Sequence, residues 1–198
     1  MKKIVISSNN QNKIQEIKNI FKDLEYDVIS YIDITKKEID IEETGKTFEE
    51  NAILKLSPFK PTKDHIFIAD DSGLEVNALN GKPGIHSARY AGSDRTTQGL
   101  CQKLLQNMKD KKDRIAQFTT VIAILLPNGK IKTVKGIVKG TIINEMRGNN
   151  GFGYDPIFQP LNYKKTFAEL TTKEKNKISH RYKALLKIKT LVSKLPPV

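Results

Sequence analysis

The chain has 198 residues, 38% hydrophobic and 28% charged, with 34 Lys and Arg against 22 Asp and Glu and a formal net charge of +12. That length sets a prior of a single domain, 1–198, with enough chain to bury a core, and no apolar run reaches the roughly 20 residues of a membrane helix. "IVISS", after Met1 and two lysines, is too short for a signal peptide, and the single cysteine, Cys101, excludes an internal disulfide framework and suits a reducing, cytoplasmic setting.

The basic balance favours anionic partners such as nucleotides, nucleic acids or acidic membranes. A composition rich in lysine throughout explains it equally well. Along the chain, strand-like and helix-like patterns alternate, which implies an α/β fold. "KIVISS" (3–8) reads as a buried strand, and 12–24 places Ile14, Ile17, Ile20, Phe21 and Leu24 on one helical stripe. "YDVISY" (26–31) is a second strand. Thr47 and Glu50 have the spacing of a capping box, which starts a helix over 47–56.

"HIFIAD" (65–70) reads as a strand ending on two acids, and "LEVNAL" (74–79) alternates like another. Leu100, Leu104, Leu105 and Met108 mark a helix over 96–109, in which Cys101 is a small packing or surface residue. Two β-rich runs within 117–140 flank Asn128-Gly129, a strong hairpin signal. "RGNNGFGYDP" (147–156) is a loop, and Tyr182, Leu185, Ile188, Val192 and Leu195 line one C-terminal amphipathic helix from about Ser179 to Leu195.

Four stretches could carry chemistry. Ser7 to Asn12 join the first strand to the first helix, where backbone N–H groups face an anion. Lys13 at that helix start opposes the dipole unless an anion is bound; the alternative is a polar turn that only caps the helix. The stretch lacks the Walker pattern. The acids Glu42, Glu43, Glu49, Glu50, Asp70 and Asp71 form the second group. Glu49 and Glu50 read as helix-start charges. Asp70 and Asp71, after His-Ile-Phe-Ile, read as ligands for Mg²⁺, which takes one or two carboxylates plus phosphates and water; a plain Asp-Ser-Gly turn is the alternative.

In the third stretch, Gly148, Gly151 and Gly153 permit close backbone approach to a ligand. Phe152 and Tyr154 could stack on a base, unless they pack back on the sheet. In the fourth, Lys175, His180 and Arg181 present donors at the start of the last helix, or else form an exposed basic face.

In this order, "SSNNQNKIQEI", "EETGKTFEENAILK", "ADDSGLEVNALNGKPGIHSARYAG", "GFGYDPIF" and "ELTTKEKNKISHR" resemble the inosine triphosphate pyrophosphatase family, over residues 3 to about 186. The resemblance implies an elongated two-lobed α/β fold, with a long mixed central sheet flanked by helices and an active-site cleft between the lobes. It also implies Mg²⁺ and a homodimer. By matching position, Ser8, Asn9, Asn10, Gln11, Asn12 and Lys13 hold the triphosphate with Lys55. Glu42 joins Asp70 and Asp71 around the metal. Asp71 is the base that activates water, with Asp70 beside it. Ser72 touches the substrate and Arg89 reaches the phosphates. Phe152, Gly153, Tyr154, Asp155, Lys175, His180 and Arg181 form the base pocket. The departure is Asn9, where the family has glycine; asparagine tolerates left-handed backbone.

The implied reaction hydrolyses non-canonical purine triphosphates (ITP, dITP, XTP) to the monophosphate and pyrophosphate. Two other readings compete: a related pyrophosphatase for modified pyrimidine triphosphates, and a basic nucleic-acid-binding module. Grouped acids argue against the last, because they repel a polyanion. The expected partners are therefore a nucleoside triphosphate and a second copy of the chain, with neither nucleic acid nor membrane.

Overall fold

Ile4, Val5 and Ile6, all fully buried, lie in strand β1 (Lys3–Ile6), the inner strand of a parallel trio. The computed structural model describes residues 3–194. After β1 come α1 (Gln11–Phe21), β2 (Asp27–Ser30), α2 (Tyr31–Thr35), α3 (Phe48–Leu54) and β3 (His65–Val76). Then follow α4 (Thr97–Asn107), β4 (Ile115–Leu125), β5 (Ile131–Ile142), β6 (Phe158–Pro160), α5 (Thr172–Ile178) and α6 (His180–Ser193). The strand order is β2-β1-β3-β4-β5-β6. β1 runs parallel to β2 and β3, with Ile4 opposite Val28 and Ile66, while β5 and β6 are antiparallel, with Thr141 opposite Gln159. The sheet is mixed and the class is α/β.

The chain divides into two compact units, and β3, β4 and β5 each contribute residues to both. The first comprises residues 1–71, 120–135 and 182–198. Its core gathers Ile4, Ile6, Ile14, Ile17, Phe21, Ile66, Ile68, Ile122 and Ile124 with Leu185 and Ile188 of α6. The predicted stripe of α1 is therefore its buried face, and the Asn10 side chain caps that helix by accepting from the Lys13 N–H. The second unit comprises residues 72–119 and 136–181. Its core joins Leu74, Leu100, Leu104 and Met108 to an aromatic group of Phe118, Phe158 and Phe167.

Three expectations are corrected. β3 does not end at the acids: it continues as one strand of 12 residues through Asp70, Asp71, Ser72 and Gly73 to Val76. Gly73 lets it pass, because a Cβ there would lie 2.2 Å from the Gly84 carbonyl oxygen and 2.5 Å from Ser87 Oγ. Residues 77–79 are a 3₁₀ turn rather than the end of a separate strand. The second strand stops at Ser30, whose side chain caps α2 in a capping box with Asp33, so Tyr31 is helical. The C-terminal helix forms as expected, as α6, and a separate α5 that Thr171 and Glu174 cap reciprocally precedes it; Leu195 lies outside the described residues.

The Thr47–Glu50 box forms only by half. Thr47 Oγ1 accepts the Glu50 N–H, but the Glu50 carboxylate accepts from the N–H of Lys46 instead of Thr47. The hairpin forms as expected around Asn128 and Gly129, the latter in the left-handed region at φ 80°.

Candidate active site

Burying a carboxylate is costly unless a cation or donors meet it. On β3 the problem is posed twice in succession, at Asp70 and Asp71, which are 3% and 5% exposed. Lys13, in the first turn of α1, brings its ammonium to 3.1 Å from Asp70 Oδ2. Lys55, at the C-terminal cap of α3, reaches Asp71 Oδ1 at 2.8 Å, the Asp70 carbonyl at 3.2 Å and Glu43 Oε1 at 3.0 Å. Asn51 donates from Nδ2 to Asp71 Oδ2 at 3.3 Å. Asn51 and Lys55 are four residues apart, so one face of α3 serves both carboxylate oxygens of Asp71.

Charge and burial compete here. Burial lowers the Lys55 pKa, but Asp71, Glu43 and Asp70 outweigh it and hold the ammonium above its ordinary value. Burial raises the Asp71 carboxyl, and Lys55 and then Lys13 only partly offset this, so it sits above the usual aspartate range. A carboxylate poised in that direction is better matched to taking a proton near neutral pH than an exposed aspartate.

The loop before α1 is held from several sides. The Ser7 hydroxyl donates to the Lys55 carbonyl at 2.7 Å, and Ser8 Oγ accepts the Asn10 N–H at 3.2 Å. The hydroxyl of buried Tyr31 donates to Asn9 Oδ1 and accepts the Ile39 N–H. Gln11 and Asn12 are exposed in the first turn of α1, where helix N–H groups lack intrahelical acceptors.

Among the described residues, no three His, Cys, Asp or Glu side chains converge as a ready-made metal cage. Glu42, expected as the third ligand, is exposed, and its neighbour Glu43 is half-buried. Asp70 and Asp71 are hard oxygen ligands already facing cationic groups. Two carboxylates suit Mg²⁺, which completes its shell with phosphates and water, better than metals that need a protein cage.

A second cluster forms within the other unit. Lys175 and Asp155, both buried, pair at 2.6 Å. Asp155 Oδ2 also accepts the Phe152 N–H at 2.9 Å. Phe152 is half-buried, with the Lys175 ammonium 4.9 Å and the Arg181 guanidinium 6.0 Å from its ring centre. Arg181 donates from Nη2 to Ser72 Oγ at 3.0 Å, and the His180 ring stacks on Phe118 at 4.8 Å. An aromatic face edged by buried donors is suited to a flat heterocycle with acceptor oxygens.

Tyr154 was expected to face a base, but it is buried in the core and donates its hydroxyl to the Ser87 carbonyl at 2.8 Å. Arg89 is exposed and turns its Nη2 to within 3.0 Å of His86 Nδ1. Sequence reasoning missed Glu43 as a partner of Lys55, together with Asn51 and Tyr31. The four-residue spacing of Asn51 and Lys55 was the available signal; nothing local marks Tyr31.

Residues 4–191 match the model of the Ham1 family. A Staphylococcus epidermidis protein named dITP/XTP pyrophosphatase is 51% identical over 189 residues, 96% of this chain and 95% of that protein. A Bacillus subtilis protein of the same name is 46% identical over 194 residues, 97% and 98% of the two chains. The solved structure of the Staphylococcus aureus Ham1 protein superposes with a TM-score of 0.85 at 46% identity, covering 97% of this chain and 98% of that one. The chain belongs to the Ham1 family.

Proposed function

We propose that the chain hydrolyses non-canonical purine nucleoside triphosphates, those of inosine, deoxyinosine and xanthosine, to the monophosphate and pyrophosphate. The observation that carries this reading is the pair of buried carboxylates, Asp70 and Asp71, each met by its own lysine at 3.1 and 2.8 Å. Support also comes from the curated relatives named dITP/XTP pyrophosphatase.

Asp71 is the base: its carboxylate takes a proton from water, the water oxygen attacks the α-phosphorus, and the α–β anhydride bond breaks with the electron pair leaving on pyrophosphate. Lys55 and Asn51 fix the two carboxylate oxygens of that base, and Lys55 and Lys13 answer the charge of the phosphates. Ser8 to Asn12 present the loop and helix N-terminus to them. Asp70 and Asp71 would hold Mg²⁺, which when bound would supply further neutralisation of the triphosphate and the leaving group.

Phe152 stacks on the purine, and Lys175, His180 and Arg181 donate toward its oxygens, with Asp155 holding Lys175 and Ser72 steadying Arg181. An oxygen at position 6 accepts these bonds, whereas the adenine amino group opposes donor to donor. Each buried donor left unmet costs about 1–3 kcal/mol, so two give a large preference. We read the chain as cytoplasmic and as a homodimer, the latter tested by light scattering. Among the described residues no helix is long and apolar enough to cross a membrane.

The deciding experiment is a panel of triphosphates (inosine, deoxyinosine, xanthosine, adenosine, guanosine and modified pyrimidines) with phosphate and pyrophosphate measured separately. Pyrophosphate release with the first three and little with adenosine or the modified pyrimidines is expected; preference for a modified pyrimidine overturns the purine assignment.

A further inference from the structure

Gly153 stands between the half-buried Phe152 and the buried Tyr154, in the left-handed region at φ 63°. Both peptide groups that flank it are bonded to the same helix. Its N–H donates to Thr97 Oγ1 at 3.1 Å, and its carbonyl accepts from Cys101 Sγ at 3.3 Å. Thr97 opens α4 and Cys101 follows four residues later, so the two side chains project from one face, a turn apart. α4 is itself anchored, because Leu100, Leu104 and Met108 lie in the core of the same unit.

Phe152 is held from its other side as well, by its N–H on Asp155 Oδ2 at 2.9 Å. Gly151, at φ 75°, leaves no space for a side chain there: a Cβ would lie 2.0 Å from that same oxygen. Three consecutive peptide groups around one aromatic ring are thus each tied to a side chain, two of them on α4 and the third Asp155, itself paired with Lys175. A surface loop with only a stacking role would be free to adjust its ring to any base.

We infer that Thr97 and Cys101 are positioning residues, which clamp both peptides of Gly153 and thereby set the plane in which Phe152 meets the purine. This rests on the proposed function for its ligand, but the clamp itself is a property of α4 and the loop. Cys101 serves as a donor and not as a redox or nucleophilic group. Burial, with the Asp155 charge added, pushes its pKa up to about 12, so the thiol keeps its proton at any physiological pH. Its choice over serine is consistent with a site that is wholly buried.

The test uses the full chain with Thr97→Val, Thr97→Ser and Cys101→Ala, and three readouts. Hydrogen exchange at the Gly153 amide, read without nucleotide, should quicken about fivefold or more in Thr97→Val and stay near the parent rate in Thr97→Ser, as expected for losing or keeping one neutral hydrogen bond. For deoxyinosine triphosphate, Thr97→Val and Cys101→Ala should raise KM about three- to tenfold with kcat within twofold, and Thr97→Ser should restore KM. Inhibition by inorganic tripolyphosphate, which has no base, should not change. An unaltered amide exchange in Thr97→Val overturns the clamp, as does a KM increase shared equally by Thr97→Ser. Equal loss of tripolyphosphate inhibition also overturns it, because the effect then belongs to the fold at large. Failure of the parent chain to turn over deoxyinosine triphosphate strikes the proposed function instead, and the exchange measurement still decides the clamp.

Discussion

Lys55 meets Asp71 at 2.8 Å with both side chains largely withdrawn from water. The pair is flanked by Glu43 at 3.0 Å from the same ammonium. Removing Lys55 therefore leaves a buried carboxylate facing an acid, with Asn51 still donating to it and the Lys13 charge as partial compensation.

Lys55→Met is expected to destabilise the protein at pH 8 by about 3 kcal/mol or more, the usual consequence of breaking a buried pair. The pH dependence has a definite sign. Burial already raises Asp71 above its ordinary value, and losing Lys55 raises it further. A carboxyl raised in the folded state binds protons preferentially there, so its stabilising contribution is largest at low pH and fades as pH rises through the folded value. Urea melts at pH 5 and pH 8 should show the smaller defect at pH 5; an equal defect at both would refute the explanation.

The two reciprocal caps give the opposite sign. Hydrogen bonds from the Thr171 side chain and backbone depress the Glu174 pKa, and the Thr166 backbone N–H leads the corresponding shift at Glu169. Depressed carboxyls stabilise the fold above their unfolded value of 4.5, and that contribution is lost as pH falls through the folded value. Thr171→Ala should lower the melting temperature at pH 7 and flatten its fall between pH 5 and pH 3. Melts across that range check both parts.

Tyr31 and Asn9 give a third expectation. Tyr31→Phe deletes the hydroxyl that donates to Asn9 Oδ1 and accepts from Ile39. The fold should lose about 1–2 kcal/mol, and KM for the triphosphate should rise severalfold because the phosphate loop loses its brace. A matching increase in Asn9→Gly would assign the effect to the side-chain bond; unchanged KM in both would detach the loop's order from Tyr31.

How much of this was visible beforehand depends on the range of each interaction. The α1 stripe, the Asn128-Gly129 hairpin and the α3 cap at Thr47 are set by residues within one turn of each other, and those readings match the elements found. The continuity of β3 was not visible, because Asp-Asp-Ser-Gly reads locally as a turn. What keeps it extended is remote: Lys13, Lys55 and Asn51 on the acids, and Gly84 and Ser87 packed against Gly73. Tyr154 was misjudged for the same reason, since its hydroxyl partner at Ser87 is 67 residues away in sequence. The pairing of Lys175 with Asp155 spans only 20 residues, yet no periodic pattern reports it.

Gly73→Ala tests that long-range account of β3. The added methyl meets the Gly84 carbonyl at 2.2 Å, a backbone atom that cannot swing aside. A loss of about 1–3 kcal/mol is expected from forced overpacking, and a neutral result in denaturant melts would show that the strand and the 84–89 turn are not in fixed contact.

The most direct test of the central claim is turnover of deoxyinosine triphosphate by the parent chain and Asp71→Asn, with pyrophosphate and phosphate quantified separately. The account predicts pyrophosphate as the product of the parent, and a drop in kcat of a hundredfold or more in the variant, on the order of what a positioned base contributes. Equal turnover by the two proteins, or phosphate released in place of pyrophosphate, contradicts it.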